Sequence, residues 1–207
     1  MVTKVTDSRQ TEDELTRNML ASSASFINCV NGFNGDSPTE ITFPDVQNIV
    51  ATLIDNNAYT ILDEIPGEDR FGTAPVREAF YALSSSKLIP ELENMDRFIP
   101  KSQYPSSMRG LPSEWGSCSN LRFLVSSIGS FFPNASALGS NVYNTFCVGL
   151  EAYAYIYQDG YNAEFIYRPP IFSGPLAQNA TCGYKMASAQ QILNDLWVLN
   201  LRSTKAS

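Results

Sequence analysis

Two pairs of adjacent carboxylates, Asp63-Glu64 and Glu68-Asp69, are the most obvious candidates in this sequence for acid–base catalysis. Paired carboxylates can serve as acid and base without histidine, as they do in glycosidases. The chain has no histidine, which excludes Ser-His-Asp and Cys-His catalysis as well as histidine metal sites. Both pairs fall in the charged stretch 63–72, which is typical of a solvated loop. We therefore expect a protein that is not an enzyme, and carboxylate catalysis is the alternative.

Four cysteines are the other reactive side chains of the sequence: Cys29, Cys118, Cys147 and Cys182. They lie far apart and form no CxxC pair, so their spacing predicts neither a zinc site nor a redox motif. The sequence also lacks the GxGxxG and GxxxxGK[ST] loops that cradle phosphates. We expect buried free thiols, no metal and no cofactor.

The composition favours a surface that is covered by partner molecules. Only 17% of the 207 residues are charged, and the chain holds 12 Phe, 10 Tyr and 2 Trp. Interfaces between proteins are depleted of charge and enriched in aromatic side chains. The net charge is −7, and the basic residues are scattered singly, whereas nucleic-acid readers need a basic stripe. Sequence-specific DNA binding is therefore not expected, and no apolar run approaches the ~18 residues of a membrane span.

The first predicted element is a helix over residues 11–30. Thr11 followed by Glu14 matches a capping box, and acidic residues crowd the first turn, where the helix dipole favours them. Apolar and small side chains then recur at helical spacing: Leu15, Met19, Ser23, Phe26 and Val30. We expect this face to be buried, so that Leu15→Asp or Phe26→Asp abolishes folding or assembly.

Two further helices are predicted in the first half of the chain. One begins after Thr42, whose side chain can cap Asp45, with Pro44 in the first turn, and it ends near residues 56–57. The other covers residues 73–83. Prolines then exclude long helices from residues 84–116, where a short helix over 91–98 remains possible.

The second half of the sequence is richer in strand signals. A strand is predicted over residues 121–125, and residues 142–157 are predicted as a strand that runs into a short helix. Another strand covers residues 163–167. The runs 182–189 and 196–201 suit a pair of strands. Because helices dominate early and strands late, the expected class is α+β.

The proline-rich, aromatic segment 98–115 is the stretch that we expect to contact a neighbouring molecule. It contains Tyr104 and Trp115, and an ordinary ordered surface loop is the alternative. Lys185 could pair across a subunit boundary, or it could be an exposed lysine on a strand.

Several motifs together resemble the major capsid proteins of tailed bacteriophages, of the podovirus N-four type. They comprise Gly174-Pro175-Leu176-Ala177-Gln178, then Cys182-Gly183-Tyr184-Lys185, then Ile192-Leu193-Asn194-Asp195, and Trp197. Residues 75–81, 116–125 and 142–153 agree with the same family in order, and the resemblance covers about residues 5–204. Helical spacing, the aromatic segment 98–115 and these motifs together give the candidates for structural or assembly roles: Leu15, Met19, Phe26, Tyr104, Trp115, Pro175, Leu176, Gly183, Tyr184, Lys185 and Trp197.

The resemblance implies the Hong Kong 97 fold, with a long spine helix, a mixed helix and strand axial domain, and returning β-strands. The implied division is a spine helix of the peripheral domain in residues 1–34, an axial domain in 35–162 and returning peripheral strands in 163–207. Family members carry a further N-terminal arm and an extended loop. We expect these parts to have been cleaved off, to lie on a second polypeptide, or to be dispensed with.

The implied function is that of a major capsid protein, which self-assembles into pentamers and hexamers of an icosahedral head around double-stranded DNA. Implied partners are other copies of the chain, with a decoration protein, a portal and a scaffold as further candidates. The implied location is the virion, with assembly in the host cytoplasm. The alternative is another structural protein: a tail tube, a decoration protein or an encapsulin-like compartment shell.

Overall fold

The computed structural model describes residues 2–62, 78–104, 110–137, 139–157, 164–170 and 180–205. The helices are α1 (Val2–Ser23), α2 (Phe43–Asp55) and α3 (Ile89–Asn94). The strands are β1 (Ser25–Val30), β2 (Phe33–Asn34), β3 (Phe80–Ser85), β4 (Ile99–Pro100), β5 (Glu114–Cys118), β6 (Leu121–Ser126), β7 (Phe131–Phe132), β8 (Val142–Val148), β9 (Tyr153–Tyr157), β10 (Glu164–Arg168), β11 (Thr181–Lys185), β12 (Ser188–Ile192) and β13 (Val198–Thr204). This mixture confirms the α+β class.

A mixed nine-stranded sheet organises these elements. Its strand order is β2-β1-β13-β8-β3-β6-β5-β4, and β7 pairs with β8 beside this path. The pairs β1 with β13 and β3 with β6 are parallel, and the other neighbours are antiparallel. Two separate two-stranded antiparallel sheets lie outside this sheet: a hairpin of β10 with β11, and the pair of β9 with β12, between which β10 and β11 are inserted in the chain.

Helix α2 covers one side of the sheet, called here the α2 face. Val46, Ile49 and Leu53 are fully buried there and pack in one cluster with Phe80 and Phe123. This confirms the predicted helix.

The cap of α2 is also as predicted. The Asp45 carboxylate accepts a hydrogen bond from the backbone N–H of Thr42 at 3.0 Å, and it also contacts the Thr42 hydroxyl. Pro44 occupies the first turn, where the missing N–H leaves no hydrogen bond unmade. The helix is followed by Asn56, which is its C-terminal cap residue.

Helix α1 covers the opposite side of the sheet, called here the α1 face. Leu20 and Ala24 pack there with Phe146, Val148 and Val198. The prediction of one helix over residues 11–30 is wrong at both ends, because α1 begins at Val2 and β1 follows from Ser25. Residues 25–28 pair in parallel with β13, and Cys29 and Val30 pair with β2. This strand pairing outweighs the helical spacing of the apolar side chains.

Two other predicted helical segments are strands. Residues 80–85 form β3 between β6 and β8, whereas the rest of the helix predicted over residues 73–83 falls largely outside the described residues. Residues 142–148 form β8, and the predicted short helix after them is replaced by a turn and β9. The tyrosines of β9 alternate with smaller apolar residues, which is the spacing of a strand, and β9 pairs with β12.

The pairing predicted for the C-terminal runs is wrong. The run 182–189 is divided between β11 and β12, which pair with β10 and β9 respectively. The run 196–201 contributes to β13, which lies between β1 and β8. Register between strands that are distant in sequence cannot be read from local alternation. The strands predicted over residues 121–125 and 163–167 are confirmed as β6 and β10.

The short helix predicted in the proline-rich part of the chain is present as α3, shifted toward the N-terminus. Among the described residues, no helix combines the length and apolar character that crossing a membrane requires.

Candidate assembly surfaces

A buried charge cluster holds the segment 98–115 against the sheet. Glu114 Oε1 lies 3.6 Å from the Nε of Arg122, and both side chains are almost fully buried. The Tyr104 hydroxyl donates to Glu114 at 2.7 Å, and the backbone N–H of Leu111 donates to the other carboxylate oxygen at 2.9 Å. Tyr104 therefore fixes the loop internally. Burial raises the pKa of its phenol.

Trp115 follows Glu114 on β5 and is the exposed part of the segment 98–115. Its side chain is 38% exposed, and its indole N–H donates to Glu93 at 3.0 Å. Together with Ile89 and Lys101 it lines an open groove of about 590 Å³. Of the two residues predicted to meet a neighbour, Trp115 is at the surface and Tyr104 is partly buried beneath it.

The apolar residues predicted on the first helix do not form one buried face. Leu15 is 45% exposed, whereas Leu20 is only 1% exposed and is the main contact of α1 with the sheet. Met19 is partly buried beside Leu20. Phe26 lies on β1 and is 49% exposed. The expectation of a buried Leu15 and Phe26 is therefore wrong.

The hairpin of β10 and β11 carries three of the predicted assembly residues: Gly183, Tyr184 and Lys185. Every residue of both strands is exposed, and the strand register places Tyr184 opposite Phe165 and Gly183 opposite Ile166. The Tyr184 hydroxyl lies 3.0 Å from that of Thr11 on α1. A two-stranded ribbon with both faces exposed is marginally stable alone. Its exposed apolar side chains are therefore suited to contact a partner, which would stabilise it.

Pro175 and Leu176 lie outside the described residues, as do both carboxylate pairs that were considered for catalysis.

Trp197 joins several loops at one end of the sheet. Its indole N–H donates to the Asn56 carbonyl at 3.0 Å, and its ring meets that of Tyr59 edge-on at 5.4 Å. The loop after β8 joins the same group, because the N–H of Leu150 donates to the Tyr59 carbonyl at 2.9 Å. Trp197 is therefore a partly buried joint between segments.

The segments that meet at this joint carry exposed apolar side chains, which we call the end patch: Ile54, Tyr59, Leu150, Leu193 and Leu196. This surface was not predicted from the sequence. Its members come from the ends of α2 and β8 and from the turn before β13, so no local spacing links them. Such clusters of exposed apolar side chains mark sites of protein interaction.

Both ends of the sheet path are closed by very short strands. β2 and β4 have two residues each, and β4 contains Pro100. The hairpin of β1 and β2 turns through Asn31 and Gly32, which both have positive φ values, as the type I′ turn requires. Short edges of this kind limit uncontrolled strand addition, so assembly would depend on side-chain surfaces.

The expectation that the cysteines are buried is wrong for one of the four. Cys29, Cys118 and Cys147 are buried, whereas Cys182 is exposed on β11. Burial raises the pKa of the Cys147 thiol to about 12 and that of Cys118 to about 11. In the described ranges, no group of three or more Cys, Asp or Glu side chains is arranged to hold a metal ion.

Known structures share this architecture. No family profile matches the sequence, and no similar sequence is found among curated proteins. A chain in the capsid of Ralstonia phage GP4 superposes with a TM-score of 0.58 at 10% identity, over 90% of this chain and 53% of that one. A chain of Mycobacterium phage Che8 gives a TM-score of 0.56 at 10% identity, over 95% and 60%.

A third similar chain comes from the head of Helicobacter pylori bacteriophage KHP40, with a TM-score of 0.53 at 11% identity, over 100% of this chain and 68% of that one. The protein thus spans between about half and two thirds of the length of these solved chains. Sequence identity this low establishes the architecture alone. The chain has the fold of phage capsid proteins.

Proposed function

We propose that this chain is a major capsid protein, the shell-forming subunit of a tailed-phage head. The observation that carries the proposal is the likeness of its fold, over 90–100% of the chain, to chains from phage capsids and heads. The proposed role is structural, with no catalysis.

The surface supports a role in self-assembly. The end patch, Trp115 and the β10–β11 hairpin each expose large apolar side chains. A shell subunit must bury several surfaces of this kind against its neighbours, because each chain contacts more than one copy. Many contacts that are weak individually then sum to a stable container.

We further propose that the fold is of the Hong Kong 97 type and has two parts. The main sheet with α2 would form the axial domain, and α1 with the two separate two-stranded sheets would form the peripheral domain. The division into 1–34, 35–162 and 163–207 stays our starting prediction. In this proposal the strand pairing assigns residues 25–34 and 198–204 to the axial part. It assigns residues 153–157 to the peripheral part.

The proposed partners are other copies of the chain in pentamers and hexamers. The wider proposal includes a second polypeptide that supplies an N-terminal arm and an extended loop, together with a decoration protein, a portal and a scaffold. The packaged DNA would be enclosed without sequence-specific contacts, which suits a chain of net charge −7. The virion is the proposed location, with assembly in the host cytoplasm.

Sedimentation and electron microscopy of the purified chain test the proposal. Closed shells or capsomers of five and six copies are expected at high protein concentration. Tubes, or monomers that stay dispersed even when coexpressed with neighbouring phage genes, would contradict it. Mass spectrometry of purified particles then identifies any second polypeptide.

A pair of variants tests whether the end patch contributes. Leu193→Lys with Leu196→Lys places two charges on it, and assembly is expected to fall sharply. Asn94→Lys with Ser127→Lys adds the same charge at exposed polar positions and is the matched control. Equal assembly of both double variants would remove the end patch from the proposal.

A further inference from the structure

Arg202 occupies an unusual position on the central strand β13. It lies on the α1 face of the sheet, as do Val198 and Asn200, because alternate residues of a strand share a face. Val198 packs with Leu20 of α1. Arg202 lies four residues farther along the strand, opposite Asn28 on β1 and Asn144 on β8.

Two aromatic rings hold the Arg202 guanidinium. Its central carbon lies 3.7 Å from the centre of the Phe26 ring and 5.1 Å from that of Phe132. Stacking of this kind leaves the N–H groups at the edge of the guanidinium plane. Those edges form the fork that matches the two oxygens of a carboxylate.

No anion within the described residues pairs with this guanidinium. The described residues contain one ion pair, between Glu114 and Arg122, and it does not involve Arg202. The Nε of Arg202 is buried and has no hydrogen-bond partner there. Burial also lowers the pKa of Arg202, as is expected for a cation whose lost hydration is not replaced.

The polar side chains around Arg202 are neutral, and most of their amide groups are already bonded. The Asn144 amide donates to Ser130 at 2.8 Å, and the Asn200 amide donates to Asn144 at 3.1 Å. The Asn28 amide donates to the Gly35 carbonyl. The Oδ1 of Asn200 is a buried acceptor without a partner. Within the part of the chain that the structure describes, these neighbours supply no negative charge.

We propose that Arg202, clamped by Phe26 and Phe132, binds a carboxylate side chain of a second copy of this chain. This inference rests on the proposed function, because it needs copies in contact. The chain carries 21 acidic against 14 basic residues, so a neighbouring copy offers carboxylates in excess. A DNA phosphate is the less favoured ligand, since backbone binding uses several cations and this site presents one.

The first test compares assembly of three variants. Arg202→Gln removes the charge, and Arg202→Lys keeps the charge without the planar fork. Arg97→Gln is the matched control, because Arg97 is exposed and stacks at 5.0 Å on the single ring of Phe43. Sedimentation measures the assembled fraction, and thermal unfolding of the dissociated subunits checks that each variant folds.

Arg202→Gln is expected to lower the assembled fraction by about tenfold or more, because removing one partner of a desolvated charge pair weakens binding. Arg202→Lys is expected to be intermediate, and Arg97→Gln to assemble as the unaltered chain does. Full assembly of Arg202→Gln would overturn the proposal.

A cryo-microscopy map of the unaltered particle decides the matter even if the variants fail to fold. A carboxylate of an adjacent copy within about 4 Å of the Arg202 guanidinium is the expected result. Solvent, DNA or a different polypeptide at that position would overturn this inference and leave the proposed function intact. If the unaltered chain forms no particle at all, the proposed function fails, and this inference with it.

Discussion

Glu114 and Arg122 form a buried ion pair between adjacent strands of the main sheet, with 3.6 Å between the carboxylate oxygen and the guanidinium Nε. The same carboxylate binds Tyr104 and the backbone of Leu111. One acidic side chain thus fixes a proline-rich loop to the sheet. The loop residues Lys101 and Pro112 line the same groove as Trp115 of β5, so the conformation of the loop determines one of the surfaces proposed for assembly.

Glu114→Gln is expected to lower the free energy of unfolding by about 1–3 kcal/mol, because it removes the carboxylate charge that lies 3.6 Å from the buried Arg122 guanidinium. Urea unfolding followed by circular dichroism measures the change. Glu93→Gln is the control, since Glu93 is exposed, and its effect should stay within about 0.5 kcal/mol. A similar small effect of both variants would show that the ion pair does not hold the loop.

Leu20→Asp is expected to prevent folding, because Leu20 is buried between α1 and the sheet and a lone carboxylate there would be unpaired. Leu15→Asp is expected to fold, because Leu15 is 45% exposed. This reverses the outcome predicted from helical spacing for Leu15. The yield of folded subunit and its thermal midpoint distinguish the two variants, and loss of folding in Leu15→Asp would contradict the orientation of α1.

Asp45→Ala is expected to cost about 2 kcal/mol of stability, from the lost cap of α2 and from an unpaired backbone N–H. The Asp45 carboxylate accepts from the backbone of Gly32 at 2.7 Å as well as from Thr42. It therefore ties the β1–β2 turn to the start of α2. Asp45→Asn keeps one acceptor oxygen and should cost less. Equal losses in the free energy of unfolding for Asp45→Ala and Asp45→Asn, measured with urea, would argue against this double role.

Alkaline pH is expected to destabilise the fold through its buried thiols. Burial raises the pKa of Cys147 from 9.0 to about 12 and that of Cys118 from 9.0 to about 11. The folded chain holds the protons of these thiols more tightly than the unfolded chain does. The buried thiols therefore contribute fully to the free energy of unfolding below pH 9, and this contribution is lost as the pH rises through about 11 and 12. Urea unfolding between pH 8 and pH 12 measures this loss.

The same burial predicts selective labelling. At neutral pH a thiol reagent should react quickly with Cys182, which is exposed, and slowly with Cys29, Cys118 and Cys147, which are buried. Peptide mapping after brief labelling checks the pattern. Rapid modification of Cys147 would place β8 at the surface and contradict the position of β8 between β13 and β3.

Tyr184→Phe is expected to loosen the β10–β11 hairpin, because its hydroxyl bonds to Thr11 on α1. Hydrogen exchange should speed up across residues 164–168 and 181–185, with little change in β13. Tyr167→Phe is the control on the same hairpin. Equal exchange in both variants would show that the bond to Thr11 does not restrain the ribbon.

The elements that the sequence predicted correctly carry local signals. Helix α2 begins at a cap formed by residues three apart and buries an amphipathic face, so neither feature needs distant partners. Strand β6 is a short apolar run that is buried in the sheet. The α+β class follows from the distribution of such signals along the chain.

The errors fall where distant pairing competes with local spacing. Residues 25–30 fit the helical pattern of α1, but pairing with β13 and β2 makes them a strand. Phe26 thereby becomes a half-exposed ring beside Arg202.

The candidate surfaces depend still more on tertiary structure. Composition indicated that the chain would bury much of its surface against partners, because low charge and many aromatic residues are properties of the sequence alone. Which side chains are available was decided by the fold, since the segments that carry Tyr59, Leu150 and Leu196 meet only where α2 ends, β8 ends and β13 begins. Sequence spacing is a local quantity, whereas a surface is defined by residues that folding brings together from distant segments.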